Sequence, residues 1–381
     1  MKQLTDKIFF KNGAVINNRM VQSPMLTNSG NKGEVSQDTL NYWQARTNSA
    51  GMMITEYHYV SENGGPALTW ADNRTQLAVY DDKFLPGLTK LAKTMKANGN
   101  KAILQIAHTG REANYRAYLG LPVYGPSDAD YPFLPYHVQG FTTEEVEQVV
   151  KDFGTATKRA IQAGFDGIEI HGANHYLIQQ FFSRFSNKRT DRWGDPESFP
   201  LAVANEVFKA VTEFAPKNFI VGYRISPEEI NPDSIGYTWH ESAKLVKQLT
   251  GRYPFDYVHL SMSSYDAKPA DSEQTFAQLF KPYLSDGTKL IVVGGIINRE
   301  TATQAMHLAD LVAVGKAQLI DANFAAKLLS GKDQEIITEL TDELEKEQEL
   351  TPGLREVFDK EEKIPNWGEK VFKELDYYKS K

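Results

Sequence analysis

Short, almost continuously apolar stretches recur along the chain, and most are followed by a longer stretch with apolar residues at helical spacing. Being apolar throughout instead of alternating, the short stretches are typical of parallel strands covered on both faces. The predicted strands are Met20–Met25, Met52–His58, Lys101–Ile106, Gly167–His171, Phe219–Ile225, Tyr257–Met262, Leu290–Gly295 and Leu311–Lys316.

Between these strands the apolar residues follow a helical period. The first two of these patterns are followed by Gly99 and Gly164, as is common where helices end. The predicted helices are Leu85–Asn98, Thr143–Ala163, Glu197–Glu213 and Thr301–Leu308.

Eight strands that alternate with helices indicate either a closed (β/α)8 barrel or a large doubly wound sheet. The strand count favours the barrel, and no linker rich in Pro, Gly or Ser divides the chain. We therefore expect an α/β fold, a single (β/α)8 TIM barrel over residues 1–330. Residues 331–381 are expected to form an acidic C-terminal helical extension packed on the barrel.

The connection Ala107–Phe141 is predicted to be mostly loop and is rich in aromatic residues and proline. Loops of this length are usually functional or disordered. At the mouth of a barrel such a loop would cap a substrate, and Tyr118 is our candidate contact. A packing role on the barrel rim explains the composition equally well.

Composition removes several classes of protein. The 381 residues include no cysteine, which excludes disulfides, thiolate-bound iron–sulfur clusters, Cys-rich zinc sites and a catalytic thiol. The 42 basic and 49 acidic residues give a net charge of −7, which does not suit a nucleic-acid partner. Eight acids against two lysines fall between Lys332 and Leu350. A solvent-exposed helix face explains that run better than a partner-binding tail.

The first residues contain too short an apolar stretch for a signal peptide, and no stretch approaches the ~18 apolar residues of a membrane span. We expect a cytoplasmic protein with a small-molecule substrate and no membrane partner. The sequence is compatible with a homo-oligomer.

Barrel enzymes place their working residues at the carboxyl ends of the strands. The residues at these predicted ends are polar, with very few carboxylates, so no metal site is expected. Gly294-Gly295 and Gly315-Lys316 stand at the last two ends, where barrels commonly bind phosphate. Either glycine pair alone would be explained by strand termination, but two consecutive pairs favour a phosphate-bearing ligand. A Rossmann G-x-G-x-x-G motif is absent from the sequence.

The segment His171-Gly-Ala-Asn174-His175-Tyr176 follows the fourth predicted strand. An imidazole and an amide three residues apart can both donate to one oxygen that gains charge in a transition state. Tyr176 could deliver a proton to the adjacent carbon. Whether His175 faces the pocket or the solvent is left open.

Several stretches resemble the old yellow enzyme family. They are NNRMVQSPM, VSQDTLNYWQAR, ILQIAHTGR, GFDGIEIHGANHYLIQQFFSRFSNKRTDRWG, VVGGI and AVGK. The similarity runs from about Leu4 to about Leu329. It implies an FMN-dependent ene-reductase on a single (β/α)8 barrel, in which NADH or NADPH reduces the flavin and an enone or nitro compound reoxidises it.

The resemblance also implies residue roles. His171 and Asn174 would polarise the substrate carbonyl, and Tyr176 would protonate Cα. Further substrate contacts are expected from Thr27, Trp70 and Tyr118. The residues expected to hold FMN are Ser23, Pro24, Met25, Leu26, Tyr57, Gln105, Arg224, Gly294, Gly295, Gly315 and Lys316.

Four positions depart from the family pattern. Leu26 stands where members usually carry Thr or Cys near flavin C4=O, and Lys316 replaces the usual Arg. Tyr57 occupies a position where a small residue is common, and His175 replaces a frequent Gly. Two rival functions stay open. One is a non-redox lyase or aldolase with Lys316 as Schiff-base amine, and the other is a non-catalytic flavin-binding protein.

Overall fold

The computed structural model describes residues 2–48, 50–67, 74–231 and 234–355. Its centre is a closed parallel sheet, which confirms the predicted barrel. The barrel strands are β1 (Met20–Gln22), β2 (Met52–Tyr59), β3 (Lys101–Ala107), β4 (Gly167–Gly172), β5 (Ile220–Ile225), β6 (Tyr257–Leu260), β7 (Lys289–Val293) and β8 (Leu311–Val314).

Parallel pairing between neighbours closes the barrel. Each strand from β2 to β7 pairs with the next one along the chain. β1 completes the ring by pairing with β8 at Val312 and Met20 and with β2 at Val21 and Met52. All carboxyl ends consequently open at the same mouth of the barrel, where barrel enzymes carry their active sites.

Helices cover the outside of the barrel and the loops at its mouth. The described helices are α1 (Gln37–Ala45), α2 (Leu85–Met95), α3 (Asn114–Tyr118), α4 (Thr143–Gln162), α5 (Leu177–Phe182), α6 (Ser198–Phe214), α7 (Trp239–Arg252), α8 (Phe276–Phe280), α9 (Arg299–Leu308), α10 (Lys316–Ile320), α11 (Phe324–Ser330) and α12 (Asp342–Glu347). Short 3-10 turns lie at Asp82–Phe84, Gly110–Glu112, Arg192–Gly194, Lys281–Tyr283 and Asp333–Glu335.

α4 illustrates how the sequence specifies these helices. Thr142 accepts a hydrogen bond from the N–H of Glu145, and the Glu145 side chain accepts one from the N–H of Thr142. This reciprocal cap satisfies amides that would otherwise lack partners. Val146, Val149 and Phe153 follow at helical spacing and are buried, so one face of α4 packs inward.

The barrel separates two layers of apolar side chains. The larger core lies between the strands and the helices. A second cluster fills the amino-terminal end of the barrel and includes Val21, Met52 and Tyr257. A hairpin of Ile8–Phe9 and Val15–Ile16, which was not predicted, contributes to this second cluster. The amino-terminal end is thereby closed.

Several strands end earlier than predicted. β1 stops at Gln22 because Pro24 has no N–H to continue the ladder. β7 stops at Val293 because Gly294 adopts φ +105°, outside the extended region. The predicted ends of β1, β6 and β7 therefore form the first residues of the loops at the mouth, and Lys316 at the predicted end of β8 begins α10.

Residues 107–141 are mostly loop, as predicted, but they also include regular elements that were not predicted. The segment contains α3 and a three-stranded sheet of Val123–Gly125, Ala129–Asp130 and His137–Gly140. Tyr131, Leu134 and Val138 form a small core of their own. The fully buried Arg111 guanidinium lies 5.1 Å from the Tyr131 ring. Aromatic and aliphatic side chains thus give this excursion its own packing.

Shorter strand pairs complete the described chain. They are Gly30–Asn31 with Arg74–Thr75, and Glu229–Asn231 with Ser234–Tyr237, while Leu77–Ala78 extends the sheet beside β2.

The C-terminal extension folds back onto the barrel over its described part. α11 ends at Gly331, which has a left-handed φ of +75°. No residue of α12 is buried, as expected for an acidic run that faces solvent. Leu350 and Leu354, in contrast, are buried in the main core. The predicted extension beyond residue 355 lies outside the described residues.

Candidate active site at the carboxyl ends of the strands

The turn after β4 presents the predicted catalytic residues. Asn174 and His175 adopt left-handed φ values of +57° and +61°, which are uncommon outside glycine. Side chains hold both amides of this turn. The Asn174 N–H donates to Ser226 Oγ at 3.1 Å, and the His175 N–H donates to Gln179 Oε1 at 3.0 Å. The turn is therefore fixed before any ligand binds.

Three rings from β2 and this turn pack edge to face. The Tyr176 ring lies 5.1 Å from His171 at an interplanar angle of 70° and 5.1 Å from Tyr57 at 80°. Such T-shaped contacts are favourable between aromatic rings. Tyr176 is therefore held between His171 and Tyr57, with 9% of its area exposed.

His171 and Asn174 each have a side-chain nitrogen that can bond to a ligand. Burial, together with the nearby Arg224 charge, holds the pKa of His171 well below its usual range, so the ring is neutral at physiological pH. Its Nδ1 is buried without a hydrogen-bond partner among the described residues. The Asn174 side-chain oxygen accepts from Ser261 Oγ at 3.2 Å, which leaves the amide nitrogen as the available donor.

Tyr176 is a neutral acid in this environment. Burial and the carboxylate of Glu112 raise its pKa, against the opposing influence of Tyr57 and Arg224. The phenol therefore keeps its proton at neutral pH and can give it up only to a strongly basic centre.

His175 packs beside a buried carboxylate. Its Nδ1 lies 3.7 Å from Glu229 Oε2, and its side chain is 24% exposed. Burial raises the pKa of Glu229, but hydrogen bonds from His175 and Gln179 and the charge of Arg111 outweigh burial and lower the pKa to about 2. His175 thus helps to hold the turn after β4 in place.

The interior of the barrel below this turn holds a polar cluster that was not predicted. Glu169 Oε1 accepts from Gln105 Nε2 at 2.7 Å, and Glu169 Oε2 lies 3.0 Å from His259 Nδ1. Both Glu169 and His259 are fully buried. An acidic residue inside the apolar β4 sequence GIEIH, two positions before His171 and therefore on the same face, was the available signal for this cluster.

Arg224 places a cation beside this cluster. Its Nη2 donates to Ser261 Oγ at 3.0 Å, and its Nε is buried without a hydrogen-bond partner among the described residues. Arg224 lies next to His171 and His259 in the strand register. The cluster therefore offers a ligand both a charged donor and, on Gln105, an amide whose nitrogen is already engaged.

The segment after β1 lies against the end of β8. The Ser23 N–H donates to the carbonyl of Val314 at 3.0 Å. Ser23 and Pro24 are buried, whereas Met25 and Leu26 are partly exposed. A Cβ built on Gly315 would lie 3.0 Å from the Met25 sulfur, so the two strand ends are in close contact.

The ends of β7 and β8 form a shallow backbone cradle. Gly294 and Gly295 adopt φ values of +105° and +67°, and Gly295 is exposed. Among the described residues, the only atom within 4 Å of a Cβ built on Gly295 is Ser264 Oγ, at 3.4 Å, so these residues leave the space above Gly295 open. Lys316, exposed at the first position of α10, adds a positive charge beside Gly315. Accessible amides and a cation are the requirements of a phosphate site.

Three predicted contacts differ from expectation or lie outside what the structure describes. Thr27 is fully buried and donates to Glu56, so it presents no surface to a substrate, and this prediction is corrected. Tyr118 is 75% exposed and stacks on Tyr115 at 6.2 Å, on the outside of the excursion. Trp70 lies outside the described residues.

The Tyr57 side chain packs beside Tyr176, the predicted proton donor, and does not line an open pocket wall. Its hydroxyl donates to Gln76 Oε1 at 2.9 Å and accepts the Ala67 N–H at 3.0 Å. The large Tyr57 side chain, which departs from the family pattern, is thus accommodated by packing on Tyr176.

Within the described ranges, no group of three or more His, Asp or Glu side chains is placed to hold a metal ion. Among the helices in those ranges, none has both the length and the apolar character that crossing a membrane requires.

Comparison with known proteins gives the site a context. The family described as "NADH:flavin oxidoreductase / NADH oxidase family" matches residues 5–335. The chain is 40% identical over 346 residues to the probable NADH-dependent flavin oxidoreductase YqiG of Bacillus subtilis, covering 88% of this chain and 90% of that protein. It is also 40% identical over 349 residues to the NADH:acrylate oxidoreductase of Vibrio harveyi, covering 87% of this chain. The chain spans only 33% of that longer relative.

Solved structures share the fold. Morphinone reductase in complex with tetrahydroNAD superposes with a TM-score of 0.73 at 21% identity, covering 90% of this chain and 94% of that one. The old yellow enzyme homologue of Zymomonas mobilis superposes with a TM-score of 0.74 at 19% identity, covering 92% of this chain and 99% of that one.

The chemistry of the site fits FMN. A phosphate suits the cradle at Gly295, and a flat ring with a polar edge suits the mouth of the barrel between that cradle and β3. The unpartnered Nε of Arg224 and the engaged amide of Gln105 match a ring edge that both accepts and donates hydrogen bonds.

Proposed function

The chain belongs to the NADH:flavin oxidoreductase / NADH oxidase family, the old yellow enzyme family, and on that premise we propose that it is an ene-reductase. In this proposal NADH or NADPH supplies reducing equivalents, and the C=C bond of an α,β-unsaturated carbonyl or nitro compound consumes them. The two half-reactions share one site, which agrees with the absence of a Rossmann motif in the sequence.

The observation that carries the proposal is the placement of two neutral donors and one neutral acid within six residues. His171 and Asn174 are available to donate to a single substrate oxygen, and Tyr176 lies in ring contact with His171. Reduction of an activated alkene builds negative charge on the oxygen and requires a proton at the adjacent carbon. The three groups match those two requirements.

FMN, when bound, would supply the hydride chemistry, and this chain's residues would hold it. Gly294, Gly295, Gly315 and Lys316 would bind the phosphate. Ser23, Pro24, Met25 and Leu26 would lie along the ring system, and Gln105 with Arg224 would bind its pyrimidine edge.

The protein's own contribution is to bind and polarise the substrate and to deliver a proton. The neutral imidazole of His171 and the Asn174 amide stabilise developing charge without giving up a proton, because His171 is held neutral by burial. Tyr176 donates its proton to Cα as negative charge accumulates there. Its raised pKa keeps the proton in place until that moment.

The rival functions receive less support. Lys316 is exposed at the start of α10, whereas a Schiff-base lysine is usually desolvated. Passive flavin binding does not require a His–Asn–Tyr set, in which His171 and Tyr176 are buried. The acrylate and fumarate in the names of two relatives belong to proteins of which this chain spans 33% and 36%, so they leave the substrate of this chain open.

The test measures the two half-reactions, flavin reduction and flavin reoxidation, separately in the variant Tyr176→Phe. Reoxidation of the flavin by an enone such as 2-cyclohexenone should slow by roughly 10²–10⁴-fold, while reduction by NADH or NADPH should change little. Tyr253→Phe is the matched control, because Tyr253 follows α7 and precedes β6 at the opposite end of the barrel. Stopped-flow absorbance near the flavin band measures both steps. Unchanged enone reoxidation in Tyr176→Phe would refute the role of proton donor.

A further inference from the structure

The described part of the C-terminal extension touches the barrel next to both ends of the predicted FMN site. One contact lies behind α10, which carries Lys316, and the other lies on the loop that continues from Ser23–Leu26. We propose that residues 348–353 form a clamp that positions these two walls of the site relative to each other. The inference rests on the proposed function, because it takes FMN to bind between the walls.

The first contact is organised by Arg46. This side chain is fully buried, and its guanidinium donates to the carbonyl oxygens of Leu319 at 3.2 Å, Gln318 at 3.3 Å and Gln348 at 3.0 Å. Gln318 and Leu319 lie in α10, directly behind Lys316. One buried cation thus joins α10 to the extension, and a buried guanidinium without these acceptors would be strongly destabilising.

Gln348 strengthens the same contact with its side chain. Its Oε1 accepts the N–H of Ala322 at 2.7 Å, two residues beyond the end of α10. Gln348 is therefore joined to the α10 region twice, through Arg46 by its carbonyl and directly by its side chain. Because β8, Gly315 and α10 are continuous, a displacement of α10 would move the phosphate cradle.

The second contact lies on the loop that follows Leu26. Thr351 Oγ1 donates to the carbonyl oxygen of Thr27. Gly353 lies so close that a Cβ built on it would overlap the Asn28 carbonyl and lie 2.6 Å from the Asn28 Cβ. Asn28 itself has a left-handed φ of +47°. The extension therefore contacts this loop at Asn28, whose left-handed backbone is uncommon outside glycine.

Buried anchors hold the clamp against the barrel. Thr351 and Leu350 are each 1% exposed, and Leu354 is 3% exposed. From the barrel side, Glu56 binds Thr27, and Gln76 Nε2 donates to Asn28 Oδ1 at 2.5 Å. The loop is thus enclosed between β2 and the extension, which is the arrangement expected of a preorganised ligand wall.

The experiment uses the full chain, four substitutions and one control. Gln348→Met retains side-chain length and loses the acceptor for Ala322, and Gln348→Glu retains an acceptor. Thr351→Val loses the hydroxyl, and Thr351→Ser restores it. Lys346→Ala is the control, an exposed change in the same segment.

FMN affinity, the visible flavin spectrum and the unfolding temperature of the apoprotein are measured for each protein. We expect Gln348→Met and Thr351→Val to raise the Kd for FMN about tenfold or more. This loss of affinity should exceed what any accompanying drop in the unfolding temperature of the apoprotein explains. Gln348→Glu and Thr351→Ser should recover most of that loss. Thr351→Val should also shift the visible flavin spectrum, because Thr351 contacts the loop that continues from Ser23–Leu26, the wall that would lie along the flavin ring.

The outcomes separate the clamp from the function on which it rests. Wild-type protein that fails to bind FMN would refute the proposed site. Wild-type protein that binds FMN, with Gln348→Met and Thr351→Val binding it equally well and with the same spectrum, would refute the clamp alone. Should Gln348→Met not fold, the Thr351→Val and Thr351→Ser pair decides.

Discussion

The side-chain amide nitrogen of Gln105 donates to the carboxylate of Glu169 at 2.7 Å in the interior of the barrel. This bond orients the amide: its nitrogen faces Glu169, and its oxygen is left to accept a hydrogen bond from a ligand. Burial opposes ionisation of Glu169, but the hydrogen bond from His259 and the charge of Arg224 lower its pKa. The ionised carboxylate in turn partly offsets the Arg224 charge.

Glu169→Gln is therefore expected to raise the reduction potential of bound FMN. Removing a negative charge below the predicted pyrimidine edge leaves Arg224 less compensated, and that favours the more negative, reduced ring. A change of about 30 mV corresponds to 1.4 kcal/mol for a two-electron couple, and we expect a shift on the order of 30–60 mV. A spectroscopic redox titration against a reference dye measures it. Glu144→Gln, an exposed change on α4, is the control, and a potential equal to wild type in Glu169→Gln would contradict the coupling.

The two glycines after β7 are expected to respond differently to alanine. Gly294→Ala should destabilise the fold by about 2 kcal/mol or more, because φ is +105° and the new Cβ would lie 2.5 Å from the Ser263 carbonyl carbon. Gly295→Ala has space for its Cβ, and should cost about 1 kcal/mol for a left-handed alanine while lowering FMN affinity by filling the cradle. Urea unfolding and FMN titration measure the two effects.

Gly120 supplies the matched control for that comparison. Its φ of +69° is close to the +67° of Gly295, and no atom of the part of the chain that the structure describes lies within 4 Å of a Cβ built on it. It is also far along the excursion from the cradle. Gly120→Ala should therefore carry the same backbone cost without loss of FMN affinity. Equal FMN affinities in Gly120→Ala and Gly295→Ala would rule out the cradle.

Glu56 makes stability depend on pH. Burial raises its pKa from 4.5 to about 8, against hydrogen bonds from Thr27 that lower it. The folded protein keeps this proton up to about pH 8, whereas the unfolded chain releases it near its ordinary pKa. The contribution of Glu56 to the free energy of unfolding therefore falls as pH rises between these two values.

Glu56→Gln should remove that fall, because glutamine does not ionise. Relative to wild type, the variant should gain roughly 1.4 kcal/mol in free energy of unfolding per pH unit across most of this window. Urea unfolding with excess FMN, at several pH values from about 5 to 8.5, measures the slope. Glu34→Gln changes an exposed glutamate and should leave the slope as in wild type. A Glu56→Gln slope parallel to wild type would show that Glu56 is not the titrating group.

The residues around Tyr176 show how far local sequence reaches. The spacing within His171–Tyr176 places the imidazole, the amide and the phenol on one turn, because the turn is local and β4 leads directly into it. The barrel itself could also be predicted, since buried parallel strands require continuous apolar runs that are visible in the sequence.

Glu169 and His259 show where the sequence is insufficient. They lie 90 residues apart, and only the closure of the barrel and the register of its strands place their side chains 3.0 Å from each other. The excursion after β3 was likewise predicted as loop, because its short strands depend on packing among Tyr131, Leu134 and Val138 and not on a local period.

The sequence by itself determined the strand–helix alternation, the family resemblance and the candidate catalytic turn His171–Tyr176, because these depend on neighbours in the chain. Only the tertiary structure decided that Thr27 faces Glu56, that Glu169 orients Gln105, and that Thr351 reaches the loop after β1. Each of these contacts joins distant positions, and their partners follow from how the barrel closes and which face each strand turns inward.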